Sequence, residues 1–280
     1  MKPIAAFLLG ICAPLTAQWL NYPDRHTPRT KNGKPNLAAP APRVNGKPDL
    51  SGVWQAAYAL SGENDRLFGK RLETFTVPGD DPRTFSKYFL NILADFAPEE
   101  AIMRPEAAAL LRKHIEPGGN TESPSTRCVP QGIPRGDLDN YLPFKIVQHP
   151  GLTLVLYEQS NTFRQIYADG RKLPVEPQPT WMGYSVGKWE GDTFVVDSLG
   201  FNDRGWLDAT GHPQSEQMRI NERFHRRDFG HMDLELTIDD PEMYTRPFTV
   251  KATEVLVPDT DLLEYVCAEN ERDRIHLGAP

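Results

Sequence analysis

The chain has 280 residues, 39% hydrophobic, 25% charged and 10% aromatic, with a mean hydropathy of −0.51. That length suits one large domain or two small ones, and it supplies a full core without disulfides to make up for small size. Twenty-six prolines against 21 glycines exclude a helical bundle or coiled coil, and a net charge of −7 argues against a general nucleic-acid or anionic-membrane binder.

Residues 1–17 (MKPIAAFLLGICAPLTA) carry one lysine, an apolar run over residues 4–15 and small residues before Gln18. This is the three-part pattern of a secretory signal peptide cleaved near Ala17, so the protein is expected to be exported, periplasmic or secreted. The run is too short to span a bilayer, and no later stretch approaches 18 apolar residues, so no integral membrane span is expected. Ile11 is bulky where a lipid-bearing Cys12 would need a small neighbour, which disfavours a lipoprotein. Cleavage leaves Cys128 and Cys267 in an oxidising compartment, where a bridge between them is favoured over two free thiols. Such a bridge ties the Pro-rich TRCVPQGIPR loop to the last predicted strand.

Residues 18–48, rich in Pro, Asn, Lys and Arg, read as a flexible exposed leader containing a short duplication, NGKPNL and NGKPDL. Two short copies are too few for a solenoid. From Asp49 onward the pattern is that of one domain, residues 49–280. DLSGVWQAAY alternates as a first strand, and residues 82–116 form a helical insertion in which Pro105 opens the second helix. Gly118 to Asn140 is a loop dense in Pro and Gly. After Leu142, eight to ten short runs with turn signals between them predict antiparallel strands closing into a single barrel, and LLEYVCAE is read as the last. The fold class is mainly β.

Gly52-Val53-Trp54 resembles the Gly-x-Trp opening of lipocalins, where the Trp plugs one end of the barrel. NGKPDLSGVW, CVPQGIPR, WEGDTFVVDSLGFN, GWLDATGHPQSEQMRINERF, TIDDPEMYTRPFTV and CAEN together resemble a secreted bacterial lipocalin-like family of unassigned function, over residues 49–270. The resemblance implies export and a β-barrel and brings no established reaction. In the family's pattern a histidine follows the proline of the central segment. Here Gln214 follows Pro213 and His212 precedes it.

The densest polar stretch is residues 201–228, with Gly205, Gly211 and Pro213 marking its first half as an ordered loop. Loops at a barrel mouth are common places for binding and chemistry. Trp206 either caps a cavity or packs the loop down, and Asp208 lies beside it. From Glu216 onward, alternation puts Glu216, Met218, Ile220, Glu222 and Phe224 on one face, predicted to point inward. A buried carboxylate needs a partner, for which Arg164 and Tyr184 are candidates. Such a network orients a ligand, serves as a general acid and base, or is a structural ion pair. Tyr157, Glu158 and Tyr167 either line the cavity or are ordinary cross-strand pairs.

His212, Glu216, Asp208, His225 and His231 lack the spacing of a zinc site, so no metal is expected. Without a P-loop, a Rossmann fingerprint, Gly-x-Ser-x-Gly or His-Glu-x-x-His, no cofactor is expected either. The leading functional expectation is an exported protein holding a small, partly apolar molecule in its barrel. The alternative is a cofactor-free lyase, isomerase or hydrolase using Glu216, Glu222 and His212 or His225 for proton transfer. A third reading is an envelope protein whose leader and helical insertion meet a protein partner.

Overall fold

The computed structural model describes residues 22–70, 81–96, 98, 101–116, 118–267 and 269. The expected signal segment, with Cys12 and the cleavage point near Ala17, lies outside these. Nine strands form a closed barrel: β3 (Gly52–Ala56), β4 (Phe144–His149), β5 (Leu152–Tyr157), β6 (Thr162–Tyr167), β7 (Tyr184–Glu190), β8 (Thr193–Leu199), β9 (Arg219–Arg226), β10 (His231–Asp239) and β11 (Phe248–Leu256). The ring closes through β11 pairing with β3, Leu256 opposite Trp54. Among the described residues no helix is long and apolar enough to cross a membrane.

The expectation of a wholly antiparallel barrel needs correction. Eight of the strand pairings are antiparallel, but β6 and β7 run parallel, through Ile166 opposite Ser185 and Tyr167 opposite Val186 only. Geometry requires this: directions cannot alternate all the way round a closed ring with an odd number of strands. Residues 168–183 carry the chain back so that β7 starts in the same direction as β6.

Period-two patterning decides which side chains go inside. On β10, Met232, Leu234, Leu236 and Ile238 are all buried and the residues between them are half-buried. Trp54 is fully buried, its Nε1 donating to the Leu50 carbonyl at 2.9 Å with the Arg226 guanidinium 4.9 Å above its ring. Burial pushes the Arg226 pKa down to about 10, against the pull of Asp49 and Asp228.

Around the barrel, α1 (Glu63–Phe68), α2 (Lys87–Leu90) and α3 (Pro105–Ile115) supply the helical part, and Pro105 does open α3. α2 is a single turn because side chains take the next backbone donors. The Ile92 N–H donates to Asp208 Oδ2 at 2.6 Å and the Leu93 N–H to the Asn91 side chain at 2.8 Å. Of the expected leader, residues 18–48, the described part begins at residue 22 and makes defined contacts. They include β1 (Arg43–Val44) paired with β2 (Lys47–Pro48), an Arg29–Asp259 ion pair and an Arg43–Asp192 ion pair.

Cys128 and Cys267 form a disulfide with their Cα atoms 5.4 Å apart. It joins the loop before residue 131 to a segment beyond β11, not to a strand: residues 261–267 have no strand structure. β11 is already paired to β10 on one side and to β3 on the other. This segment is held instead by an ion pair of Asp261 with Lys145 and by Asn161, which bonds the Tyr265 backbone in both directions.

Candidate functional site

The barrel interior carries a polar layer built on Arg164 of β6. Its guanidinium donates from Nε to Ser185 Oγ at 2.9 Å, from Nη1 to Glu222 Oε1 at 2.9 Å, and from Nη2 to Ser198 Oγ at 2.8 Å and to Glu222 Oε2. Glu222, from β9, is 0% exposed and Arg164 2%. A planar fork and a carboxylate in this arrangement make the strong bidentate pair that a buried charge requires. The expected Arg164–Glu222 partnership is therefore present, and alternation on β9 does send Glu222 inward.

An unexpected element completes the layer. Residues 131–140 are buried without exception, so part of the predicted Pro- and Gly-rich loop inserts into the protein. Gly136 marks how tightly it fits, since a Cβ there would stand 3.1 Å from the Gly132 carbonyl and 3.2 Å from the Tyr157 ring. The segment delivers Asp137, whose Oδ1 accepts the Tyr157 hydroxyl at 2.6 Å while Oδ2 stands 3.8 Å from Arg164 Nη1. Burial first, and the adjacent Glu222 charge second, push the Asp137 carboxyl up to about 7. Burial raises Asp139 to about 6 against the backbone N–H groups of Tyr141 and Leu142. The same cause holds the Tyr157 phenol well above its ordinary value.

Glu254 of β11 is the third interior carboxylate. It is 0% exposed, and burial, reinforced by the Asp137 charge, holds it well above the carboxylate range. Sequence reasoning missed both Asp137 and Glu254. For Glu254 a signal existed: it occupies the inward phase of β11 with Phe248, Val250 and Leu256, a carboxylate among apolar residues. Asp137 gave no such signal, because no periodicity describes an inserted loop.

The remaining predicted residues do not join this layer. Glu216 is exposed ahead of β9, and His225 is exposed on the outer face of β9 opposite Asp233. Both are thus separated from Glu222, Glu216 because the strand starts only at Arg219 and His225 because odd positions of β9 face outward. His212 is wholly buried in the mouth loop, its Nδ1 2.6 Å from Asp208 Oδ2. Asp208 also accepts the backbone N–H groups of Ile92, Gly211 and His212, so this pair ties the loop to the turn after α2. Trp206 packs the loop down: it is buried and stacks on His114 of α3 with ring centres 4.3 Å apart. Gly211, at φ +102°, lets the chain pass beneath that histidine, where a Cβ would stand 2.8 Å from the His114 Cβ.

Tyr184 does not reach Glu222. It stacks on Tyr167 at 5.3 Å on the outer wall, where the Arg171 guanidinium lies 3.8 Å from the Tyr167 ring centre. Both tyrosines line a wall pocket of about 280 Å³, together with Phe163, Trp181, Met182 and Arg164. The pocket follows from the parallel seam. Because β6 meets β7 only at Ile166 and Tyr167, its first four residues have β5 on one side and no β7 on the other. Phe163 stands 59% exposed at this opening. Glu158 is half-buried and accepts the Leu263 N–H at 2.9 Å, outside the pocket lining.

No group of three or more His, Cys, Asp or Glu side chains is arranged to hold a metal ion among the described residues. No protein-family model matches the chain, and no curated protein matches it.

Proposed function

We propose that the protein is exported and, like the secreted lipocalin-like family its sequence resembles, binds a small, partly apolar molecule at its barrel, in a pocket of the barrel wall. The observation that carries this reading is the aromatic wall pocket at the β6–β7 seam. Its volume of about 280 Å³ comes near the lower end of ligand-site sizes, and it has the composition of one: apolar walls with a few polar groups. Arg164 belongs both to that lining and to the interior polar layer, linking the opening to groups able to orient a ligand. The disulfide fits export, since such bonds persist in oxidising compartments.

Trp181 in the pocket supplies the test. Titration with the fluorescent apolar probe anilinonaphthalene sulfonate is expected to change tryptophan emission saturably, and Trp181→Phe to remove most of that change. Emission that does not respond, or responds equally in Trp181→Phe, overturns the reading.

A second reading is favoured by one observation, the Asp137 carboxyl held near neutrality against the Tyr157 hydroxyl. A group titrating near ambient pH is suited to general acid–base work. In this reading proton transfer falls to Asp137 with Glu222, in place of the Glu216, His212 and His225 set. Turnover in a substrate screen that Asp137→Asn lowers by at least 100-fold supports it. Turnover unchanged by that substitution overturns it.

A further inference from the structure

Of the three interior acids, Glu222 holds Arg164 by two hydrogen bonds, Asp137 has the same guanidinium only at 3.8 Å, and Glu254 has no ion pair among the described residues. Neither oxygen of Glu254 accepts a hydrogen bond among the described residues, and the same holds for Asp137 Oδ2. Arg164 gives neither of them a hydrogen bond: its Nε and Nη2 are committed to Ser185, Ser198 and Glu222, its Nη1 bonds Glu222, and Asp137 stands at ion-pair distance from Nη1, 3.8 Å, beyond hydrogen-bond reach. Arg135, also fully buried, takes its favourable charge interactions from Asp139 and Asp208. Three carboxyls thus share one guanidinium. An interior evolved only for stability would fill the Glu254 position with an apolar side chain, as its neighbours show. Across the ladders it sits opposite Ala56 of β3 and Met232 of β10.

We propose that Glu254 and Asp137 form the recognition site for an organic ammonium, a protonated amine on a small apolar body. Its N–H donors satisfy the open oxygens, its positive charge balances the acid pair, and its body meets the side chains beside Glu254. This rests on the reading that the barrel binds a small molecule, and it names the chemical class; neither acid lines the wall pocket, and Arg164, 3.8 Å from Asp137, is the residue common to that pocket and the interior layer. A neutral alcohol brings one donor and no charge, and an anion adds to the excess already present. Asp137 faces the Tyr157 hydroxyl, the Arg164 guanidinium and the Glu222 carboxylate, and its charge is the one that acts on Glu254. Seating the cation favours the ionised acids, so each carboxyl that was protonated releases its proton to solvent as the ammonium binds.

The test is calorimetric titration of the full chain at pH 7 with butylammonium, 1-butanol and butyrate, which share a body and differ in charge. Butylammonium is expected to bind at least 10-fold more tightly than either control, with proton release visible as a buffer-dependent heat. Glu254→Gln is expected to reduce that affinity at least 10-fold while leaving the thermal unfolding cooperative. Equal or tighter binding of 1-butanol or butyrate overturns the ammonium class and leaves small-molecule binding standing. If none of the three binds while anilinonaphthalene sulfonate does, the outcome is the same. If nothing binds, both readings fall.

Discussion

Arg164 and Glu222 reach each other from β6 and β9 across the interior, and each is the other's principal partner. Two strands, β7 and β8, lie between them in the wall and contribute Ser185 and Ser198, whose hydroxyls bond each other at 2.9 Å and both accept from Arg164. The pair thus fixes the relation of four strands at the one place where the barrel runs parallel.

Breaking that pair on one side should be costly. Arg164→Met leaves the Glu222 carboxyl buried without its principal partner, with an expected loss of about 3–5 kcal/mol in urea unfolding. The double variant Arg164→Met with Glu222→Leu is expected to recover most of it. A double variant no more stable than the single one would show that the pair acts through packing and not through charge.

Glu254 should behave in the opposite way. Buried, raised in pKa and without a hydrogen bond among the described residues, it costs stability as it stands. Glu254→Leu is expected to stabilise the protein by about 1–3 kcal/mol at pH 7.5, the scale of an unsatisfied buried group. Destabilisation in denaturant melts would mean that Glu254 has a structural partner.

Stability should fall as pH rises from 5 to 7.5. Asp137 and Asp139 keep their protons in the folded protein to about pH 7 and 6, whereas in the unfolded chain they lose them near 4. The unfolded state then binds fewer protons across this window, so unfolding free energy declines, by up to about 1.4 kcal/mol per pH unit for each group. Asp137→Asn is expected to flatten the upper part of the curve, read from urea midpoints at pH 5, 6, 7 and 7.5. A midpoint that climbs through this range would contradict the burial of both acids.

The disulfide closes a separation of 139 residues and anchors the chain next to the inserted segment. Reduction, or Cys267→Ser, is expected to cost about 2–5 kcal/mol, measured as a lowered melting temperature. Thiol titration of the unfolded, unreduced chain lacking residues 1–17 should find no free cysteine.

Alternation along β9 and β10 was enough to show mainly β structure and to send Glu222 inward, because a period of two is written in the residues themselves. Pro105 opened α3 as its fixed φ dictates, and the two cysteines beyond residue 17 allowed one pairing. Arg164 was legible only as one of two candidate partners, beside Tyr184, because a buried carboxylate needs a partner.

Whatever depended on closing the ring was not legible. Strand number modulo two compels a parallel seam, yet no residue in β6 or β7 encodes direction. The wall pocket exists only because that seam pairs over two positions. Residues 131–140 look like a surface loop by composition, and only their insertion turns Asp137 into a near-neutral acid beside Tyr157. Local pattern, then, determined the strands and the direction each side chain faces, since these follow from neighbours along the chain. The tertiary structure alone decided which inward groups meet, because those contacts join residues far apart in sequence, and it is their burial together that sets the charge state of the interior.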